Sequence, residues 1–178
     1  MEKKTVWFSA LRHVAPADYE LWLESLAAEG WNINRVGQTS STYMVFTKTE
    51  AKQYRYVFDL NAFPTEDYFN TYTQFGWECI GHMSSCYIWR KAYSGVRPEA
   101  FSDRESRVRR NKRVKTVLLI CFSFLLLAIA AAAVGIGVAA WRGEIGDCAA
   151  LGVNIVLFGL LAGYLWWAAR QIDRHMEE

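Results

Sequence analysis

Cys79, His82 and Cys86 fall within one short stretch, CIGHMSSC, and cysteine and histidine are the side chains that hold zinc. A structural zinc site takes four ligands, commonly with a C-x2–4-C spacing. Here the two cysteines stand seven positions apart. No fourth ligand is evident, and alternation along a strand pair points His82 away from both thiols. Buried hairpin thiols are the better reading, and neither a metal nor a cofactor is expected. His13 and His82 are the histidines outside the C-terminal tail, and no G-x-S-x-G, H-E-x-x-H, Walker A or G-x-G-x-x-G signature occurs. The carboxylates suit structural work. Asp18, Glu20 and Glu24 read as the solvated face of a helix, Glu66 and Asp67 favour a helix N-terminus, and Asp59 is placed to pair with Arg55. No catalytic residue is assigned.

The second chemistry is electrostatic. Residues 101–115, FSDRESRVRRNKRVK, carry seven basic and two acidic side chains, although the chain as a whole has a net charge of only +2. Arg107, Arg109, Arg110, Lys112, Arg113 and Lys115 directly precede an apolar run. Such a stretch both marks the cytoplasmic side and binds anionic lipid, each near-surface charge contributing on the order of 1 kcal/mol. A nucleic-acid-binding domain spreads its charge over a face, so no nucleic acid partner is expected.

These residues must be positioned by two unlike halves. The chain has 178 residues, 52% hydrophobic and 21% charged, which excludes a disordered protein. Four cysteines are too sparse for a disulfide scaffold, and 12 glycines with 3 prolines exclude collagen-like sequence. Residues 116–140 hold no charge and would form a helix roughly 37 Å long. Residues 149–169 form a second run, roughly 31 Å long. Each suffices to cross a hydrocarbon core of about 30 Å. The expected layout is a soluble domain over 1–92, a linker and basic stalk over 93–115, spans over 116–140 and 149–169 joined by an external loop over 141–148, and a tail over 170–178. The opening MEKKTVWFSALRH has no apolar h-region, and basic residues flank the outer ends of both spans. Both termini are therefore expected in the cytoplasm of a multi-pass cell-membrane protein. Ser102 with Glu105 reads as a capping box that starts a stalk helix; a flexible linker is the alternative.

Gly159 and Gly163, and Gly135 with Ala139, match the small-xxx-small spacing that lets helix backbones approach. They would pack the spans into a hairpin, or serve a homodimer or a partner membrane protein. Asn154, polar among apolar neighbours, reads as interhelical glue.

Residues 1–92 read as a repeat. Two amphipathic helices, over 16–29 and 64–75, each begin at proline and stop at Gly30-Trp31 and Gly76-Trp77. Each is preceded by a strand (KTVWFSAL, QYRYVFDL) and followed by a strand pair (WNINRV with STYMVFTK, WECIGHM with CYIWRK). The order is β-α-β-β twice, which predicts an α+β fold: one sheet of about six strands with two helices on one face, followed by a two-helix transmembrane hairpin. With a turn at Ser84-Ser85, alternation sets Trp77, Cys79, Met83, Cys86 and Ile88 against Ile80, His82, Tyr87 and Trp89. The face left open would be aromatic, with Trp31, Tyr54, Tyr56, Phe58, Trp77, Tyr87 and Trp89 as candidate binding or interface residues.

The run Trp22-Leu23, Ala27-Ala28-Glu29-Gly30-Trp31, then Tyr43 to Phe46, Tyr54-Arg55-Tyr56, Gly76-Trp77 and Tyr87 to Arg90 resembles a bacterial family known as domain of unknown function 2812, over roughly residues 5–92. The resemblance implies a membrane-associated regulatory or sensing component found beside PadR-type transcriptional regulators. It supplies no catalytic residues. The expected function is a non-enzymatic, membrane-anchored regulatory module acting through protein or ligand contacts on the aromatic face, with a PadR-type regulator or a transporter as partner. The alternatives are an accessory subunit of a membrane complex whose spans make the contacts, and an enzyme with an unrecognised site.

Overall fold

A computed structural model of the protein describes residues 2–99 and 104–177. In chain order the elements are β1 (Lys3–Trp7), α1 (Ser9–Arg12), α2 (Pro16–Ala28), β2 (Trp31–Asn32), a 3-10 turn (Gln38–Ser41), β3 (Tyr43–Lys48), β4 (Tyr54–Leu60), α3 (Glu66–Gln74), β5 (Glu78–Met83), β6 (Cys86–Ala92), α4 (Arg104–Arg142) and α5 (Ile145–Glu177). They fall into two compact units, Met1–Asn111 and Lys112–Glu178.

The first unit is α+β. Its six strands form two antiparallel three-stranded sheets, β1-β3-β2 and β4-β6-β5, rather than the single sheet expected. The edge of β4 does not receive another strand, because α2 lies along it. A single parallel bridge, Val36 to Gly81, links the two halves, with the Val36 N–H donating to the Ile80 carbonyl at 2.7 Å. Gly81 has φ 126°, and a Cβ there would sit 2.0 Å from the Val36 oxygen, so this crossing requires glycine.

The first helix begins at the proline that signals it, the second two residues beyond Pro64, and both stop at the expected glycines. Pro16 opens α2 and Asp18 sits in its first turn. Thr65 caps α3 by accepting from the Tyr68 N–H at 3.3 Å. Gly30 (φ 84°) and Gly76 (φ 76°) close them. The first strand is shorter than expected, because Phe8 turns into the left-handed region (φ 53°) and residues 9–12 become α1.

The two helices do not share a face. Along β4 and β6, Tyr54, Tyr56, Phe58, Cys86 and Ile88 point into a core with Tyr19, Leu23 and Leu26 of α2. Val57, Tyr87 and Trp89 point the other way and pack under Tyr68, Phe69 and Tyr72 of α3. The expected alternation in β5 is also corrected. A bulge between Cys79 and Gly81 sets both Ile80 and Gly81 against Ile88. It therefore moves Trp77 to the Trp89 face and Ile80 to the Ile88 core.

In the second unit α4 and α5 form a hairpin of helices long and apolar enough to cross a membrane, Val108–Arg142 and Ile145–Arg174. The basic stretch from Arg104 and the first apolar run are one helix, α4. The expected Ser102 cap lies outside the described residues. The connection is shorter than the loop expected over 141–148, since only Gly143 and Glu144 separate the helices. Gly143 (φ 77°) lets the Glu144 N–H bond the Ala139 carbonyl at 2.9 Å, closing α4. The less exposed positions of α5 recur at three and four residues, through Cys148, Leu151, Ile155, Phe158, Ala162, Leu165, Ala169 and Ile172. That is the spacing of a coiled-coil seam. A Cβ added at Gly135 of α4 would stand 3.0 Å from the Leu151 side chain, so α5 lies close against α4 there. Gly159 and Gly163 do not join the seam, since a Cβ on either would meet nothing within 4 Å. Asn154 is likewise exposed.

Candidate functional site

The most concentrated chemistry in the first unit is a set of ion pairs on α2. Glu20 and Glu24 are one helical turn apart, so both carboxylates project from the same side. They face β4, an edge strand whose outward N–H groups have no neighbouring strand. Glu24 accepts from the Tyr56 N–H at 3.2 Å and Glu20 from the Phe58 N–H at 3.0 Å. Two carboxylates thus take the place of a seventh strand, and the edge is closed to further pairing.

Three guanidinium groups neutralise them. The Arg55 Nη1 donates to Glu20 at 3.0 Å, to Glu24 at 2.9 Å and to the Tyr56 carbonyl. Arg97, in the segment after β6, donates from Nε and Nη2 to Glu24 at 2.9 and 3.0 Å. Arg110, in the first turns of α4, donates to Glu20. Glu20 is 2% exposed, Arg55 5% and Arg110 4%. Burial alone would lower the Arg97 pKa, but the Glu24 hydrogen bonds and charge more than offset it and hold it above the ordinary value. Buried pairs of this kind add little net stability over apolar packing, because desolvation cancels the attraction, yet losing one partner is costly. Their effect is to specify which elements meet: α2, β4, the segment after β6 and the start of α4.

Several expectations change here. Glu20 and Glu24 are not a solvated face. Arg55 pairs with them and not with Asp59. Arg110, expected at lipid headgroups, is turned into the α+β unit. Of the other basic candidates, Arg109, Lys112 and Arg113 are exposed, Lys115 pairs with Asp173 at 2.6 Å, and the side chain of Arg107 lies outside the described residues.

The expected aromatic face is closed. Trp77, Tyr87 and Trp89 pack beneath α3, where the Tyr72 and Trp89 rings stack 4.3 Å apart and the Trp89 Nε1 donates to the Tyr68 hydroxyl at 2.9 Å. Tyr72 reaches Asp59 at 3.4 Å. Burial, then the Asp59 charge, holds the Tyr68 and Tyr72 hydroxyls protonated well above the usual phenol range. Tyr56 lies in the core with α2, and burial pushes its pKa to about 12. Tyr54, Phe58 and Trp31 are half-buried at the rim of that core. Trp31 has the ammonium groups of Lys48 and Lys4 over its ring at 4.8 and 5.5 Å, and Tyr54 has Arg90 and Lys52 at 4.9 and 6.0 Å.

Among the described residues no group of three or more His, Cys, Asp or Glu side chains is placed to hold a metal. His82 stacks on Tyr87, with its Nδ1 2.9 Å from the Ser84 carbonyl. Burial pushes the Cys86 thiol up to about 11 and also raises Cys79, the reverse of an activated nucleophile.

An open aromatic surface lies elsewhere, on the first sheet. Trp7 is 54% exposed, Phe8 49% and Tyr43 38%. The sequence carried a signal for it, since alternation through KTVWFSAL and STYMVFTK sets Trp7, Tyr43 and Val45 opposite the core residues Val6, Met44 and Phe46.

The family described as protein of unknown function (DUF2812) matches residues 16–123, more than half of the chain, and the chain belongs to it. The match runs from the start of α2 into the apolar part of α4, so it spans both Glu20 and Arg110. No curated protein and no solved structure matches the chain.

Proposed function

We propose that this DUF2812 protein is a membrane-anchored binding or regulatory module without catalytic chemistry of its own, held as a multi-pass protein with both termini in the cytoplasm. The observation that carries the reading is the burial of Arg110 on Glu20. It makes the first turns of α4 part of the α+β fold, and the same helix continues into an uncharged apolar run. An event that shifts α2 or β4 therefore acts on α4 directly. The contact surface for a protein partner comprises Trp31 and Tyr54 with their flanking cations, which suit an acidic segment on a regulator of the PadR type or a transporter. Arg109, Lys112 and Arg113 add attraction to anionic lipid.

A second reading, accessory subunit of a membrane complex, is favoured by the outward Gly159 and Gly163, which leave α5 open to a close helix neighbour or a homodimer.

One experiment separates them: purification of the full chain from its native membrane in mild detergent, followed by mass spectrometry. The module reading expects a regulator or transporter in stoichiometric amount, lost in a Trp31→Ala, Lys48→Glu variant and kept in a Gly159→Leu, Gly163→Leu variant. The reverse pattern moves the function into the spans. Loss in neither variant overturns both assignments of surface.

A further inference from the structure

We infer that the outer face of the β1–β3 pair, with α1 beside it, is a docking surface for an anionic lipid bilayer. Trp7 and Tyr43 are cross-strand partners with ring centroids 5.4 Å apart, and Phe8 continues the patch 6.2 Å from Trp7. Leu11, on the turn of helix that follows, is 51% exposed. A contiguous cluster of this kind is uncommon on a surface that meets only water. The backbone is strained to present it. Phe8 is a non-glycine residue at φ 53°, held there by its N–H bond to the Thr42 carbonyl at 2.7 Å and by the Leu11 N–H bonding its carbonyl at 3.1 Å. Relaxed extended backbone at Phe8 would continue β1 and remove α1. The strained turn instead sets three nearby residues, Trp7, Phe8 and Leu11, on the surface together.

Two observations choose the occupant. The first is charge. Residues 2–12 carry Lys3, Lys4 and Arg12 against Glu2, and Lys3 and Arg12 are exposed at the two ends of the patch. A second copy of the chain on this face would gather like charges around the same rings, whereas anionic headgroups complement them. The second is chemistry. Tryptophan and tyrosine with flanking lysine and arginine are the side chains that favour the headgroup zone, where a ring has one apolar and one wet side. The same chain carries α4 and α5, helices long and apolar enough to cross a bilayer. The inference stands apart from the protein-binding surface proposed above, which uses Trp31 and Tyr54.

The test uses the full chain in nanodiscs of phosphatidylcholine alone, or of phosphatidylcholine with phosphatidylglycerol at about three to one. Hydrogen exchange is followed by mass spectrometry over residues 5–12 and 41–47. Anionic lipid is expected to slow exchange in both segments on the order of tenfold, from two added surface charges. The effect is expected to disappear in high salt and in a Lys3→Glu, Arg12→Glu variant, whose substitutions lie on the surface and leave the core intact. Phe8→Ser is expected to abolish it by removing the apolar contact. Equal exchange in the two lipids overturns the inference. So does slowing that appears only in nanodiscs loaded with two chains, which would assign the face to a second copy, or slowing that survives both variants.

Discussion

Arg110 in the first turns of α4 donates a hydrogen bond to Glu20 in the middle of α2, 90 residues earlier in the chain, and both side chains are almost wholly buried. Glu20 at the same time accepts from the Phe58 N–H on the edge of β4. One carboxylate therefore closes a sheet edge and fixes the start of a helix that continues into an uncharged apolar run.

Removing that carboxylate takes the buried Glu20 partner from Arg110 and leaves Arg55 with Glu24 as its carboxylate. Glu20→Ala is expected to destabilise the α+β unit by about 3–5 kcal/mol, the usual consequence of breaking a buried pair from one side. Glu20→Gln, which keeps an oxygen for Phe58, should cost less. Arg110→Met should cost less again, because Arg55 still neutralises Glu20. Thermal unfolding of the full chain followed by tryptophan fluorescence checks the order. Equal effects from Glu20→Ala and Arg110→Met would show that the cluster does not act through Glu20.

Glycine is required at two positions where another backbone oxygen approaches a residue at positive φ. Gly81→Ala places a methyl 2.0 Å from a backbone oxygen at a φ of 126°, and neither the carbonyl nor the bulge can yield without breaking the Val36 bridge. Gly30→Ala brings a methyl to 2.6 Å from the Thr49 oxygen. Each is expected to lower stability by more than the roughly 1 kcal/mol of an ordinary glycine substitution at positive φ. Gly37→Ala, which meets nothing within 4 Å, is the control and should be neutral.

The hairpin should discriminate among its glycines in the same way. Gly135→Leu drives a branched side chain into Leu151, already 3.0 Å from where a Cβ would stand. It should loosen the hairpin and raise proteolysis at Gly143. Gly159→Leu and Gly163→Leu should leave the hairpin intact, and any loss they cause belongs to contacts with another molecule. Limited proteolysis in detergent reads both outcomes.

The buried phenols give the α+β unit a defined alkaline limit. Burial pushes Tyr19 and Tyr56 from 10.0 up to about 12, and Cys86 from 9.0 to about 11. An acid with a raised folded-state pKa holds its proton more tightly when folded. Its contribution is thus complete below the unfolded pKa and is lost as pH rises through the folded one. Stability should be flat up to about pH 9 and fall between about pH 9 and 12. Tyr56→Phe should blunt the part above pH 10, measured as the urea midpoint against pH; a midpoint that rises over that interval would contradict the burial of these groups.

The helices were legible in the sequence because their ends are marked by local chemistry: Pro16 and Pro64 at or just before the starts, Gly30 and Gly76 at the stops. Apart from α1 the element order followed from the same marks, and the apolar runs announced the long helices α4 and α5. What was not legible depends on contacts distant in sequence. A strand's pattern does not say which edge a helix will cover, so Glu20 and Glu24 looked like any exposed acids on an amphipathic helix. Nor does alternation survive a bulge: one extra residue at Ile80 exchanged the faces of Trp77 and Ile80. Arg110 sits in a run of cations whose composition points to headgroups. Only the fold shows that one member of the run turns inward.

Hydrogen exchange across residues 108–112 of the full chain in a bilayer tests the central claim most directly. If Arg110 makes the start of α4 part of the α+β unit, these amides should exchange with the slow rates of the α2 and β4 core. Glu20→Gln should then speed them on the order of tenfold or more while residues 118–132 remain unchanged. Rates typical of a fraying helix end in the wild-type chain, or rates indifferent to Glu20→Gln, would contradict it.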